Sequence, residues 1–377
     1  MNKNIVIIGG GASALMLASL LPKSRVIVIE SNANLGAKIL ISGGGKCNIT
    51  NTKMGEEYFI AEKTFVKDVL KKFTQKDLIK WLERQNLMPI IRKERQYFCQ
   101  NSAKELLDIF IKECKKQKIL LNEKVLHISK SEEIFSIQTN KQNLKADTVV
   151  VASGGLSFPK LGASAIGYEI AEFFGHTIVN TAPGLVGLTV QKEQFFFKEL
   201  SGSSTEVEIH VGDNLCKGAL LFAHKGLSGP AVLDASLYWN KGKIRINFLP
   251  DFSLKSVKGS KKQISSLLPM PKRVTKAFLI QFGIEDKVVS KLTTDEFNQL
   301  ESLNNYIFSP AGTFGYSKAE VTKGGVCTSE IDNRSMMSKK TKGLYFIGEV
   351  LDVTGRLGGY NFQWAFSSAY VCSRAIR

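Results

Sequence analysis

Ile5–Val6–Ile7–Ile8–Gly9–Gly10–Gly11–Ala12–Ser13–Ala14, followed by Arg25–Val26–Ile27–Val28–Ile29–Glu30, is the stretch that decides the fold of this chain. It reads as a buried strand, a glycine turn, an apolar helix, a second buried strand and an acid at that strand's end. Gly9 permits the tight turn, Gly11 lets a pyrophosphate approach the backbone, and Ala14 keeps the helix close to the sheet. The amides that open the helix, at Ala12 and Ser13, then face the anion. Glu30 follows Gly9 by 21 residues, where a carboxylate accepts hydrogen bonds from ribose hydroxyls and repels a 2′-phosphate. The expectation is a dinucleotide site suited to FAD or NAD rather than NADP.

Outward from that unit, 377 residues give room for two or three domains, and 44% hydrophobic with 23% charged residues is ordinary for a soluble globular protein. The first strand begins near residue 4, so no signal peptide is expected, and no apolar run is long enough to span a bilayer. Six cysteines (Cys47, Cys99, Cys114, Cys216, Cys327, Cys372) are scattered without a CxxC pair. A cytoplasmic protein with reduced thiols is the simplest reading. No cysteine–histidine spacing suggests a metal, and no Gly-x-Ser-x-Gly elbow follows a strand.

Charge is the less ordinary property. There are 51 Lys and Arg against 34 acids, a net +17. Such a surface concentrates polyanions, which makes RNA, DNA or an acidic membrane surface candidate partners; a generally lysine-rich proteome is the alternative source. The excess is uneven: Lys255, Lys258, Lys261, Lys262, Lys272, Arg273 and Lys276 occur with no acid among them. This stretch, read as helical, is the first candidate for an RNA-contacting surface, and the lysine-rich helices of residues 63–118 are the second. A solvated helix face is the competing reading for both.

After Glu30 comes the loop Gly36 to Asn48, with Ser42–Gly43–Gly44–Gly45–Lys46–Cys47–Asn48 at its end. It is not a Walker A motif. Leu40 occupies the position that needs glycine, and Cys47 stands where Ser or Thr would hold magnesium. Residues 62–118 carry a helical period and residues 125–152 short strands that end in Thr148–Val149–Val150–Val151–Ala152 and run into Gly154–Gly155. From about Pro183 strands and turns dominate, residues 254–307 turn helical, and strand texture resumes at Gly312. A strand at Gly343–Glu349 and a helix from about Tyr360 close the chain. The expected class is α/β. A Rossmann-type FAD-binding domain (1–182 and 341–377) carries an inserted β-rich domain (183–253 and 310–340), which itself carries a helical insertion (254–309).

Several motifs together resemble the BaiN/RdsA-like NAD(P)/FAD-dependent oxidoreductases. They are Gly9 to Ala14, Lys38 to Asn51, Gly154–Gly155–Leu156–Ser157–Phe158–Pro159, Thr189, His224 to Pro230, Glu320 to Val326, and Gly348 to Asn361. The resemblance covers essentially the whole chain. Departures are mild: Ala14 where the family usually has glycine, and Lys46 where arginine is common. The resemblance implies a tightly held FAD and the nested architecture just described. Members are divided in chemistry: some reduce a uridine of large-subunit (23S) ribosomal RNA to dihydrouridine, others reduce steroid-type enones or oxidise aminoacetone.

With a single nucleotide fingerprint in the chain, a resident FAD fills it, and NAD(P)H visits as a transient reductant. Cofactor contacts are expected from Gly9, Gly11, Ala12, Ser13, Glu30, Lys38, Ser42, Gly43, Gly44, Asn48, Gly154, Gly348, Glu349, Asp352, Gly359 and Asn361. The resemblance assigns an acid after the last strand to the ribityl chain, with Asp352 preferred to Glu349. It aims the following helix at the flavin pyrimidine, where its N-terminus stabilises negative charge. Uracil reduction needs a hydride and a proton. Cys47, with glycine neighbours and Lys46 beside it, is the first candidate donor as an exposed, tuned thiol; His224 is the second. The partner expected is ribosomal RNA or an assembling ribosomal particle, with no membrane and no metal. A small-molecule reductase or oxidase is the alternative.

Overall fold

The computed structural model describes residues 4–22 and 25–376, and these divide into two compact units, Met1–Pro183 with Val321–Arg377 and Gly184–Glu320. The first unit is built on the run from Ile5 to Glu30. Strands β1 (Ile5–Ile8) and β2 (Val26–Ile29) flank helix α1 (Ala12–Leu20) as expected. Strands β3 (Lys118–Leu120), β4 (Thr148–Val151) and β5 (Leu344–Phe346) complete a sheet of order β5-β4-β1-β2-β3, and every pair in it is parallel. Ile5 lies opposite both Thr148 and Val26. All four residues of β1 and of β4 are buried, as a parallel strand covered on both faces requires. Helix α1 is apolar all round because α2 (Tyr360–Ile376) packs along it, and Ala14 is fully buried there.

The strand texture of residues 125–146 folds as a three-stranded antiparallel meander, with Ile134–Thr139 alternating exposed and buried. Residues 62–118 are less uniform than their periodicity predicts. Helices Lys63–Lys72, Gln75–Arg84 and Lys104–Cys114 are interrupted by a hairpin, Ile90–Arg92 paired with Gln96–Phe98. The second helix closes at Asn86 (φ 62°), where the Asn86 and Leu87 amides bond back to the Glu83 and Leu82 carbonyls, and beyond Pro89 the pair Ile90–Ile91 favours an extended backbone.

Behind the sheet, His176 ties down the segment that precedes β5. Its Nε2 lies 2.7 Å from the Ser338 hydroxyl, and its Nδ1 lies 3.2 Å from the Glu330 carboxylate without hydrogen-bond geometry. Burial pushes the His176 pKa below the ordinary histidine value. Partial burial alone would raise Glu330, but the Lys340 ammonium at 2.6 Å and the Thr177 donors bring it down to about 2. The unfolded chain takes up a proton at His176 near pH ~6.5 that the folded chain refuses. Stability therefore falls as pH drops below that value, and Glu330 adds a further loss below about 4.5. Thermal midpoints measured from pH 7.5 to 5.5 are expected to fall for the wild-type protein and to stay flat over that interval for His176→Gln. Parallel profiles would remove His176 as the cause.

The second unit is a seven-stranded antiparallel sheet, in the order 306–308, 244–247, 204–211, 214–223, 226–228, 188–190, 310–313. Its core gathers Phe197, Phe222, Phe248, Phe278 and Phe308, all fully buried. The lysine-rich stretch from Lys255 is not one helix. Short turns at Leu254–Val257 and Ile264–Leu267 precede a single longer helix, Lys272–Phe282. Gly259, Pro269 and Pro271 break the rest. Among the described residues, no helix is long and apolar enough to cross a membrane.

Candidate functional site

The carboxyl ends of β1, β4 and β5 are where an open parallel sheet binds ligands. At β1 the turn is set by contact. Gly9 has φ +105°, and a Cβ there would stand 2.5 Å from the Ala152 carbonyl oxygen at the end of β4. The Gly10 amide donates to Glu30 Oε2 at 2.7 Å, and the Asn32 amide donates to Oε1 at 2.7 Å. Ser31 also donates to Oε1, at 3.2 Å, so the carboxylate at the end of β2 is pinned beside the turn with a lone pair left on Oε2.

Gly11 is different. Its φ of −85° is open to any residue, and a Cβ there would meet nothing within 4 Å. Neither backbone nor packing requires a glycine at this position. Gly11 also caps α1 without a side-chain hydrogen bond, and no acid occupies the first turn. The helix therefore presents unpaired amides to open space, which suits a diphosphate. The same openness recurs at Gly44 (φ +66°) and Gly154 (φ +73°).

Between these edges lies a polar junction that joins remote parts of the first unit. Lys38 Nζ is 2.7 Å from Glu349 Oε2, and Glu349 Oε1 accepts from the Thr322 amide at 2.9 Å. The Thr322 hydroxyl in turn accepts from the amides of Leu156 at 2.8 Å and Ser157 at 3.2 Å. One carboxylate thereby fixes the helix Ala37–Ile41, the strand Val321–Val326 and the turn that leaves β4. Gly155 is required here, since a Cβ would come within 2.5 Å of the Thr322 hydroxyl. Thr322 lies in the Glu320 to Val326 motif but carries no sequence signal that separates it from an ordinary strand threonine.

The glycine loop takes positive φ at Gly43, Gly44 and Gly45, and again at Cys47 (φ 46°). Ser42 is bonded to the Ile39 carbonyl at 2.6 Å. Asn48 donates to Gln96 Oε1 at 2.7 Å, while its own Oδ1 is buried without a partner. A Cβ at Gly359 would lie 2.8 Å from that orphaned oxygen, so Asn48 is set against the turn that leads into α2. Asn361 clasps the Gly355 amide at 2.8 Å and its carbonyl at 2.9 Å. Gly348, with φ +75°, lies against Ser13, and Trp364 Nε1 bonds its carbonyl at 3.0 Å. Asp352 is half-buried, and that burial raises its carboxyl above the ordinary aspartate range.

Cys47 does not have the exposure expected of it. It is fully buried, with its thiol hydrogen-bonded to that of Cys99; the bond and the burial together push it well above the ordinary thiol range. Antiparallel pairing of Asn48 with Phe98 brings the two cysteines together. His224 is exposed in the turn between Asn214–Ala223 and Gly226–Ser228, in the second unit. That unit also holds Lys255, Lys258, Lys261, Lys262, Lys272 and Arg273, all exposed. Lys255 lies 3.9 Å from Glu301, Lys258 sits over the Phe297 ring, and Arg273 bonds the Glu199 carbonyl. Among the described residues, no group of three or more His, Cys, Asp or Glu could hold a metal ion.

Comparison with known proteins agrees with this fold. A family model described as the HI0933-like protein Rossmann domain matches residues 3–375. The ribosomal RNA dihydrouridine synthase of Escherichia coli (strain K12) is 38% identical, over 98% of this chain and 97% of its own length. The 3-dehydro-bile acid delta(4,6)-reductase of Clostridium scindens is 30% identical, with 98% of each chain covered. Among solved structures, a 3-ketosteroid delta1-dehydrogenase from Sterolibacterium denitrificans superposes with a TM-score of 0.52 at 12% identity. That match covers 100% of this chain and 99% of the other, a likeness of fold alone.

Proposed function

Because the chain belongs to the HI0933-like Rossmann family, we propose that it is an FAD-dependent oxidoreductase that reduces a uridine of large-subunit ribosomal RNA to dihydrouridine, with NAD(P)H as electron donor. The observation that carries the reading is end-to-end kinship with the Escherichia coli ribosomal RNA dihydrouridine synthase. The open glycine at position 11 supports the cofactor independently.

Each group of residues then has a task. Gly9, Gly11, Ala12 and Ser13 receive the diphosphate on the α1 amides, and Glu30 accepts from the adenosine ribose. Lys38, Ser42, Gly43, Gly44, Asn48 and Gly154 line the ring end. Gly348, Gly359 and Asn361 shape the approach of α2, whose N-terminus favours negative charge at the pyrimidine edge. Glu349 is engaged by Lys38 and the Thr322 amide, which leaves Asp352 for the ribityl hydroxyls. Bound FAD would supply the hydride for one carbon of the uracil C5–C6 bond. The proton for the other carbon is assigned to Cys47 or His224. Cys47 lies in the glycine loop itself with its thiol turned onto Cys99, and His224 is exposed. The exposed cations from Lys255 to Arg273 contact phosphates, which adds affinity but little sequence choice.

The test is dihydrouridine mapping of large-subunit ribosomal RNA from a strain lacking this chain, beside its parent. One dihydrouridine should vanish and return with the wild-type copy. Identical maps would sink the RNA reading and turn attention to enones, which the bile acid reductase relative makes the next substrates to assay.

A further inference from the structure

We propose that the hairpin Ile90–Phe98 is an RNA-docking arm that grips the phosphates flanking the target nucleotide. The inference rests on the ribosomal RNA reading above and adds a contact surface to it. The root of the hairpin is part of the candidate site. Its second strand pairs with Asn48–Asn51, which leaves the glycine loop, with Asn51 opposite Gln96 and Asn48 opposite Phe98. The Phe98 ring would lie 3.2 Å from a Cβ at Gly43, and Gln96 holds the Asn48 amide. The Ala103 amide, just beyond, donates to the Gly45 carbonyl at 2.8 Å. The tip stands about 10–13 Å along the strands from that root, at the usual rise per residue. A base held at the glycine loop therefore has its neighbouring phosphates within reach of the tip.

The tip carries the matching chemistry. Arg92, Lys93 and Arg95 cluster there with Glu94 as the one acid. None of the three cations is ion-paired among the described residues; Arg92 reaches only the Gln100 carbonyl, at 3.4 Å. Lys93 (φ 48°) and Glu94 (φ 67°) are consecutive left-handed residues without a glycine between them. Side chains adopt that region at a cost in stability, and hairpin tips ordinarily use Asn-Gly to avoid it. Keeping charged side chains there has no folding advantage, so the choice points outward to a ligand. Met88 and Ile91 are 57% and 53% exposed beside the cations. A surface that offers both charge and bare apolar area fits a polyanion with unstacked bases, as in RNA loops.

The experiment uses the flavin-loaded full chain and a fragment of 23S ribosomal RNA. The variant Arg92→Gln/Lys93→Gln/Arg95→Gln is compared with wild type, and Lys93→Gln/Arg95→Gln keeps the Arg92 bond to Gln100 should the triple variant fold poorly. Flavin content and thermal midpoint serve as folding controls. Affinity is expected to fall tenfold or more for the triple variant, with the slope of log K against log salt shallower by about 2. Dihydrouridine formation should fall with it, and the double variant should shift the same way by less. Wild-type affinity and turnover in both variants would overturn the docking arm. So would a loss confined to anionic lipid vesicles, with RNA binding intact. A wild-type enzyme that leaves the fragment unmodified would instead sink the functional reading itself.

Discussion

Gly9→Ala is expected to yield a less stable protein that purifies without flavin. The added Cβ must displace the Ala152 carbonyl, a backbone atom at the end of β4, from 2.5 Å, and it must do so at φ +105°. Left-handed strain at a non-glycine residue costs about 1–3 kcal/mol before any movement of the strand. For a unit of this size each kcal/mol lowers the thermal midpoint by about 2–4 °C. A drop on the order of 5–10 °C, with flavin content below about a tenth of wild type, follows from these magnitudes. Gly11→Ala is the control that makes the result diagnostic. It meets nothing within 4 Å, so its melting should match wild type in the flavin-free state. Its methyl nevertheless occupies the space assigned to the diphosphate, and flavin affinity should fall at least tenfold. If Gly11→Ala retains flavin like wild type, the diphosphate does not sit on this turn.

Replacing Glu349 should separate a charge from a hydrogen bond. Glu349→Gln keeps an acceptor for the Thr322 amide but leaves Lys38 without its counter-ion. The pair is partly exposed, 36% and 22%, so its Coulomb contribution is small. Glu349→Ala removes both, so the strand residue whose hydroxyl holds the Leu156 and Ser157 amides loses the acceptor for its own amide. An unmade hydrogen bond to a charged group costs about 1.5–3 kcal/mol, or roughly ten- to a hundredfold in affinity. The dissociation constant for FAD, measured by fluorescence recovery on reconstitution, is expected to rise several-fold for Gln and about a hundredfold for Ala. Equal values for the two variants would mean that the carboxylate does not organise the junction.

How much of this was legible beforehand depends on whether a residue acts through its neighbours in sequence or through remote ones. The run from Ile5 to Glu30 announces its strand, turn and helix because each local preference agrees with the next. The same holds for β4, β5 and the helix after Gly358–Gly359. Residues 86–98 were less transparent: a helical period on either side conceals a hairpin that only Pro89 and a pair of isoleucines foreshadow. The basic stretch misleads in the same way, since lysine content suggests a helix that Gly259, Pro269 and Pro271 prevent. Cys47 shows a deeper limit. Glycines beside it suggest exposure, yet its environment is decided by Cys99, which strand pairing delivers from beyond a helix pair and a turn. Thr322 is legible only once Glu349 and the turn after β4 are in place around it.

The order of the sheet carries a consequence for how the protein comes into being. Strand β5 and helix α2 belong to the same unit as β1 and α1, yet the whole of the second unit lies between them in the chain. Lys38 meets a carboxylate 311 residues downstream. A chain that reaches only as far as the second unit has the diphosphate turn but neither the Lys38–Glu349 junction nor helix α2. Closing the site therefore depends on contacts between parts of the chain far apart in sequence, the kind that form slowly in folding. Loss of the segment from β5 through α2 would take Glu349 and the turn at Gly359 out of the site while leaving the diphosphate turn in the chain.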